Sequence, residues 1–133
     1  MYNFKVGDEF EVGFYISEDI YNGFVKLFKD ENLLHTNEQF AVEHGFAGRV
    51  MQGNILNGFI SYFVGECLPD KKVLIHSQTI KYKYPVYLDD NLTFKSVVAE
   101  IHSSVKVAVF KFKFINQDLK AVATGQIQIG LLK

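Results

Sequence analysis

Asp30 and His35 stand five residues apart around Asn32, and eighteen residues after His35 comes Gly53, at the head of a long apolar stretch. A carboxylate and an imidazole at that spacing can hold one water between them and exchange protons with it. The first free N–H groups of a helix opening at Gly53 can hold a polarised carbonyl oxygen. An acid/base pair and an oxyanion donor are the minimum equipment for adding water across an activated double bond, or for removing it. Ser61, eight residues beyond Gly53, falls about two helical turns further on, where its hydroxyl can reach groups beside the same face.

Each of these residues also has a plainer reading. Asp30 reads as the close of a helix, where an aspartate is ordinarily a solvated turn residue and the helix dipole opposes its charge. His35 alone is a loop histidine, Gly53 alone a permissive helix start, and the Ser61 hydroxyl alone a group bonded back to the preceding turn. Arg49, the only arginine, precedes the Gly53 helix and suits either an anionic ligand or its own loop. His44, His76 and His102 match no metal-ligand spacing, and Cys67 has no second sulfur, so no metal site is expected. A Cys/His nucleophile is also rejected, because a helix interior would bury Cys67 and raise its pKa. Lys81-Tyr82-Lys83-Tyr84 and Lys111-Phe112-Lys113-Phe114 interleave bases and aromatics as a single-strand nucleic-acid platform would. In strands, that alternation instead sends every aromatic to the core and every lysine to water, which is the reading adopted.

The elements that position these residues follow from periodicity. Phe10, Val12, Phe14 and Ile16 alternate with Glu11, Gly13 and Tyr15, predicting a first strand. From Ser17 the spacing of Ile20, Phe24, Leu27 and Phe28 predicts a helix ending near Asp30, with Ser17, Glu18 and Asp19 as its capping start. Residues 32–36 read as loop, and Asn37 caps a short turn through Phe40 and Val42 that Gly45 and Gly48 break. Ile55, Leu56, Phe59, Ile60, Phe63 and Val64 predict a central helix from Gly53 to Leu68. Beyond Pro69 come four strand patterns, at 73–84, 92–102, 105–115 and 121–131, read as an antiparallel four-strand meander. The expected architecture is α+β, a curved sheet wrapping one helix, with sheet edges that favour pairing in a homo-oligomer.

Bulk properties narrow the setting. The 133 residues suit one domain, taken as 1–133. The net charge of −1, from 14 basic and 15 acidic residues, argues against nucleic acid as a partner. One cysteine, no secretion-type start and no apolar run approaching the ~20 residues of a bilayer span point to a cytoplasmic protein without a membrane partner. Asn91-Leu92-Thr93 matches a glycosylation acceptor but lacks a secretory context, so it is read as coincidence.

The whole assembly resembles the MaoC-like (R)-specific enoyl-thioester hydratases and 3-hydroxyacyl-thioester dehydratases of the hot-dog fold. Asp30, Asn32 and His35 match that family's Asp-x-Asn-x-x-His stretch, Phe46 to Val50 its Phe-x-Gly-Arg-Ile segment, Gly53 its helix glycine and Ser61 its later serine. Tyr84-Pro85-Val86 with Asp89-Asp90-Asn91-Leu92 looks like its Pro-Val-x-x-Gly-Asp turn, and Asn116-Gln117 with 121–129 looks like its last hairpin. Gln52 stands where the family usually has His, Asn54 where it has Met, and Leu33 where Pro is common. The resemblance implies that Asp30 and His35 bind one water and exchange protons with it and with substrate C2. It also implies that water adds at C3 while the Gly53 N–H holds the thioester oxygen. Asn32 and Ser61 would support the pair, and Arg49, Gln52 and Asn54 would border the substrate pocket, with Asn54 narrowing or polarising it. No cofactor or metal is implied, the substrate carrier being coenzyme A or an acyl carrier protein. The alternatives carried alongside are a hot-dog acyl-thioester hydrolase and a non-catalytic acyl-thioester binding module.

Overall fold

The computed structural model describes residues 2–132. Strand β1 (Glu9–Tyr15) leads to helix α1 (Glu18–Phe28), two short helical turns α2 (Leu33–Thr36) and α3 (Glu38–Glu43), and helix α4 (Asn54–Tyr62). Strands β2 (Val73–Tyr82), β3 (Asn91–His102), β4 (Val107–Ile115) and β5 (Ala121–Leu131) complete the chain. All five strands form one antiparallel sheet in the order β1-β3-β4-β5-β2.

That order corrects the four-strand meander. Only β3, β4 and β5 run as consecutive hairpins, joined at 103–106 and 116–120 by tight turns in which Lys106 and Leu119 take positive φ. The joint over 83–90 is long enough to carry the chain across, so β2 lies on the far side of β5 and β1 takes the place beside β3. Strand composition identifies a strand, whereas its neighbour depends on contacts far along the chain.

The sheet and α4 share one aromatic core. Ile55, Leu56, Phe59 and Ile60 face inward from α4, and Phe94, Phe110 and Phe114 meet them from β3 and β4. Phe63 is fully buried, its ring centroid 4.7 Å from that of Phe94, and Phe59 stacks on Phe14 of β1 at 4.3 Å. Each such ring contributes roughly 1.5–3 kcal/mol through removal from water. As expected, Phe112 and Phe114 point into this core while Lys111 and Lys113 are exposed.

Other expectations are revised locally. The central helix does not stay α-helical to Leu68: after Tyr62 it widens into a π-helical turn over Phe63–Cys67. The wider turn leaves Phe63, Val64 and Leu68 buried and Gly65 and Glu66 in solvent. Cys67 sits half-buried in it, and burial pushes its thiol pKa up. Residues 33–36 form a helical turn rather than open loop, because the Asn32 side chain accepts from the Leu34 N–H and caps it. Tyr82 and Tyr84 are about half exposed instead of fully buried, since they lie at and beyond the end of β2, at the margin of what α4 covers. Tyr84 carries the Lys120 ammonium over its ring at 4.5 Å, and Tyr82 covers Gly53.

Candidate active site

Helix α1 begins at the Ser17 cap, whose hydroxyl accepts from the Ile20 N–H at 3.1 Å, and stops at Lys29, which adopts the left-handed conformation. Asp30 therefore lies just outside the helix rather than in its last turn, and the expected conflict with the dipole is eased by that step. Its main-chain oxygen accepts from Gln52 Nε2 at 3.1 Å, and its Oδ1 faces the Asn32 N–H at 3.4 Å. Asn32 thus caps α2 and orients the Asp30 carboxylate together.

His35 is held at three points. Its N–H donates to the Asn32 carbonyl at 2.8 Å, its own carbonyl accepts from the Tyr21 hydroxyl at 2.8 Å, and its Nδ1 lies 2.7 Å from the Val50 carbonyl. A carbonyl oxygen can only accept, so Nδ1 carries a proton, and whenever the ring is neutral its bare nitrogen is Nε2. That Nε2 faces Asp30 Oδ2 at 3.6 Å, with the His35 side chain 17% exposed and that of Asp30 45% exposed. At this distance the two groups are not directly hydrogen-bonded. Two acceptors set this far apart suit a molecule that donates one hydrogen to each, and water is the smallest that can.

The residues 46–52 are strapped to the sheet joint: Val50 N–H donates to Leu34 O, Met51 N–H donates to Val86 O, and Val50 bridges Tyr87. Arg49 is engaged by two helices, through Tyr21 of α1 and Glu38 of α3. Its guanidinium lies 5.0 Å over the Tyr21 ring, and its Nε is 3.6 Å from Glu38 Oε2. Glu38 also folds over Gly48, where an added Cβ would come within 2.7 Å of its carboxylate. Tyr21 and Glu38 are site-supporting residues missed by sequence reasoning; the only signal was a tyrosine in a helix otherwise lined by Ile, Phe and Leu.

An apolar groove of about 650 Å³ runs between α1 and α4 with Asp30 on its wall. Phe24, Leu27 and Phe28 of α1 face Ile55, Gly58 and Phe59 of α4 across it. This accounts for Leu27 and Phe28 being about 70% exposed, at 73% and 70%. Asn54 also lines the groove, whereas Gln52 lies behind it, 3% exposed, with its Oε1 unpartnered among the described residues. The N–H groups of Gly53 and Asn54 have no hydrogen-bond partner among the described residues, since the first bond of α4 is donated by Ile55 to Gln52 O. Ser61 is exposed on the Asn54–Gly58 stripe of α4, and no hydrogen bond among the described residues joins it to Asp30 or His35. No group of three or more His, Cys, Asp or Glu among the described residues could hold a metal ion. No described helix is long and apolar enough to cross a membrane.

No family model matches the sequence. An (R)-specific enoyl-CoA hydratase from Rhodospirillum rubrum is 33% identical over 108 residues, 80% of this chain and 74% of that protein. Another (R)-specific enoyl-CoA hydratase, from Aeromonas caviae, is 26% identical over 108 residues, 81% of each. The solved structure of the (R)-hydratase from A. caviae involved in PHA biosynthesis matches with a TM-score of 0.89 at 23% identity, over 97% of this chain and 98% of that one, a likeness of fold. An antiparallel sheet curled around a central helix, bordered by an acyl-sized groove, defines a protein of the hot-dog class. Within that class the chain belongs to the (R)-specific enoyl-CoA hydratase family of MaoC-like hydro-lyases.

Proposed function

We propose that the protein interconverts 2-enoyl and (R)-3-hydroxyacyl thioesters of coenzyme A, with Asp30 and His35 as the catalytic pair. The observation that carries this reading is the pinned His35 ring: its Nδ1 is committed to Val50 O, so its Nε2 is a base 3.6 Å from a carboxylate oxygen. A water donating to both keeps a lone pair for attack. As its oxygen bonds to C3, the C2=C3 π pair moves onto the thioester oxygen, which the Gly53 N–H receives at the positive end of α4. One proton of the water passes to the Asp30/His35 pair and one returns from the pair to C2, so that water is added in full. Dehydration is the same path reversed.

The groove would take the acyl chain, its apolar walls giving affinity without direction. Every step is acid/base or electrostatic, so the reaction as written uses no cofactor. The same reading takes 1–133 as one hot-dog domain, in a cytoplasmic setting consistent with the lone free Cys67. Asp30→Asn and His35→Ala variants are expected to lose about 100- to 10,000-fold in turnover of enoyl-CoA, followed by the fall in enoyl-thioester absorbance. Unchanged turnover in either variant would remove that residue from the mechanism.

A further inference from the structure

We propose that Asn54 is a second donor to the thioester oxygen, supplied by its side chain beside the Gly53 N–H; this rests on the hydratase reading above. Asn54 is the first residue of α4 and shares the groove wall with Asp30. Every other residue lining that groove is apolar or glycine.

In the structure a chain of hydrogen bonds from β2 orients the Asn54 amide. Gln78 Nε2 of β2 donates to Asn57 Oδ1 at 2.6 Å. Asn57 Nδ2 is thereby turned toward α4's first turn, where it donates to Asn54 Oδ1 at 2.8 Å and lies 3.1 Å from the Tyr82 hydroxyl. With Asn57 and Gln78 so placed, reversing the Asn54 amide alone would set two NH₂ groups against each other. Its oxygen is therefore occupied, and neither N–H of its Nδ2 has a partner among the described residues.

The consequence is a cluster of donors. The main-chain N–H groups of Gly53 and Asn54 and the Asn54 amide all come from two consecutive residues at a helix N-terminus. An apolar acyl tail offers such donors nothing, and desolvating them against it would be unfavourable. The acceptor common to every acyl thioester is the thioester oxygen. The groove's two polar side chains are thus divided in role: Asp30 accepts from water, and Asn54 donates to the oxygen that gains charge as the C3–O bond forms. Because that charge exists chiefly in the transition state, the donor acts mainly on kcat.

Two variants separate this role from a structural one. Asn54→Met removes both donor and acceptor, whereas Asn54→Asp retains an acceptor for Asn57 but presents no donor. With crotonyl-CoA, both are expected to lower kcat by about 10- to 100-fold, at the modest end for an oxyanion donor because Asn54 is exposed. KM should stay within about threefold. Calorimetric binding supplies a readout that needs no turnover: the unaltered protein should prefer butyryl-CoA to its thioether analogue, which lacks the carbonyl oxygen, and Asn54→Met should lose most of that preference. Wild-type kcat in Asn54→Asp, or an undiminished thioester preference in Asn54→Met, would overturn the proposal. If those results came with turnover that still depended on Asp30, only the Asn54 role would fall. Turnover indifferent to Asp30→Asn would bring down the hydratase reading, and this proposal with it.

Discussion

At the scale of single residues, the decisive feature is a hydrogen bond that the reacting atoms do not make. The bond from His35 Nδ1 to Val50 O selects the tautomer of the neutral ring, the one whose basic Nε2 faces Asp30. Gln52 plays a comparable part for the carboxylate, since its amide holds the Asp30 main chain from a buried position. Gln52→Leu is expected to lower kcat by about fivefold, the value of one lost hydrogen bond, while Gln52→His, whose ring N–H can donate to the same oxygen, stays near the unaltered rate. Steady-state rates of the two variants check this, and equal loss in both would count against a donor role. Asp30, Asn32, His35 and Gly53 were legible in the sequence because the chemistry restricts their types and spacing. Tyr21 and Glu38 were not, because each matters only through a partner that folding brings to it: His35 for the first, Arg49 for the second.

At the scale of elements, the site is a junction of three chain segments. α1 ends at Lys29 and releases Asp30, the capped turn α2 presents His35, and α4 opens with unpartnered N–H groups. The Tyr82 ring of β2 closes over that opening, and a Cβ at Gly53 would meet it at 2.8 Å. The backbone at Gly53 is ordinary right-handed helix, so the constraint there is space rather than torsion. Gly53→Ala is therefore expected to displace the ring and lower kcat by about tenfold or more, and Tyr82→Leu in the same chain to restore part of it. Rates for the single and double variants measure the coupling, and simple additivity would contradict it. Helix and strand positions were readable because burial imposes their periods. The π-helical turn at Phe63–Cys67 and the exposed place of Tyr82 were not, since both depend on how α4 and β2 meet the rest of the sheet.

At the scale of the molecule, a sheet of five strands wraps α4 from one side and ends in two edge strands, β1 and β2. Leu74 and Tyr82 on β2 and Tyr62 at the end of α4 are each more than 40% exposed, at 43%, 51% and 52%. We infer that a second copy pairs along β2 and covers them, giving a homodimer. Light scattering should return twice the chain mass, and a monomer at micromolar concentration would contradict it. The order of strands was the part of the fold least legible in sequence, because the 83–90 joint conceals that β2 crosses to the far edge. Addition of water by Asp30 and His35 can be followed by incubating crotonyl-CoA with the protein in heavy water and resolving the product. The expected product is (R)-3-hydroxybutyryl-CoA carrying one deuterium at C2. Release of free coenzyme A thiol, or crotonyl-CoA bound but recovered unchanged, would contradict it.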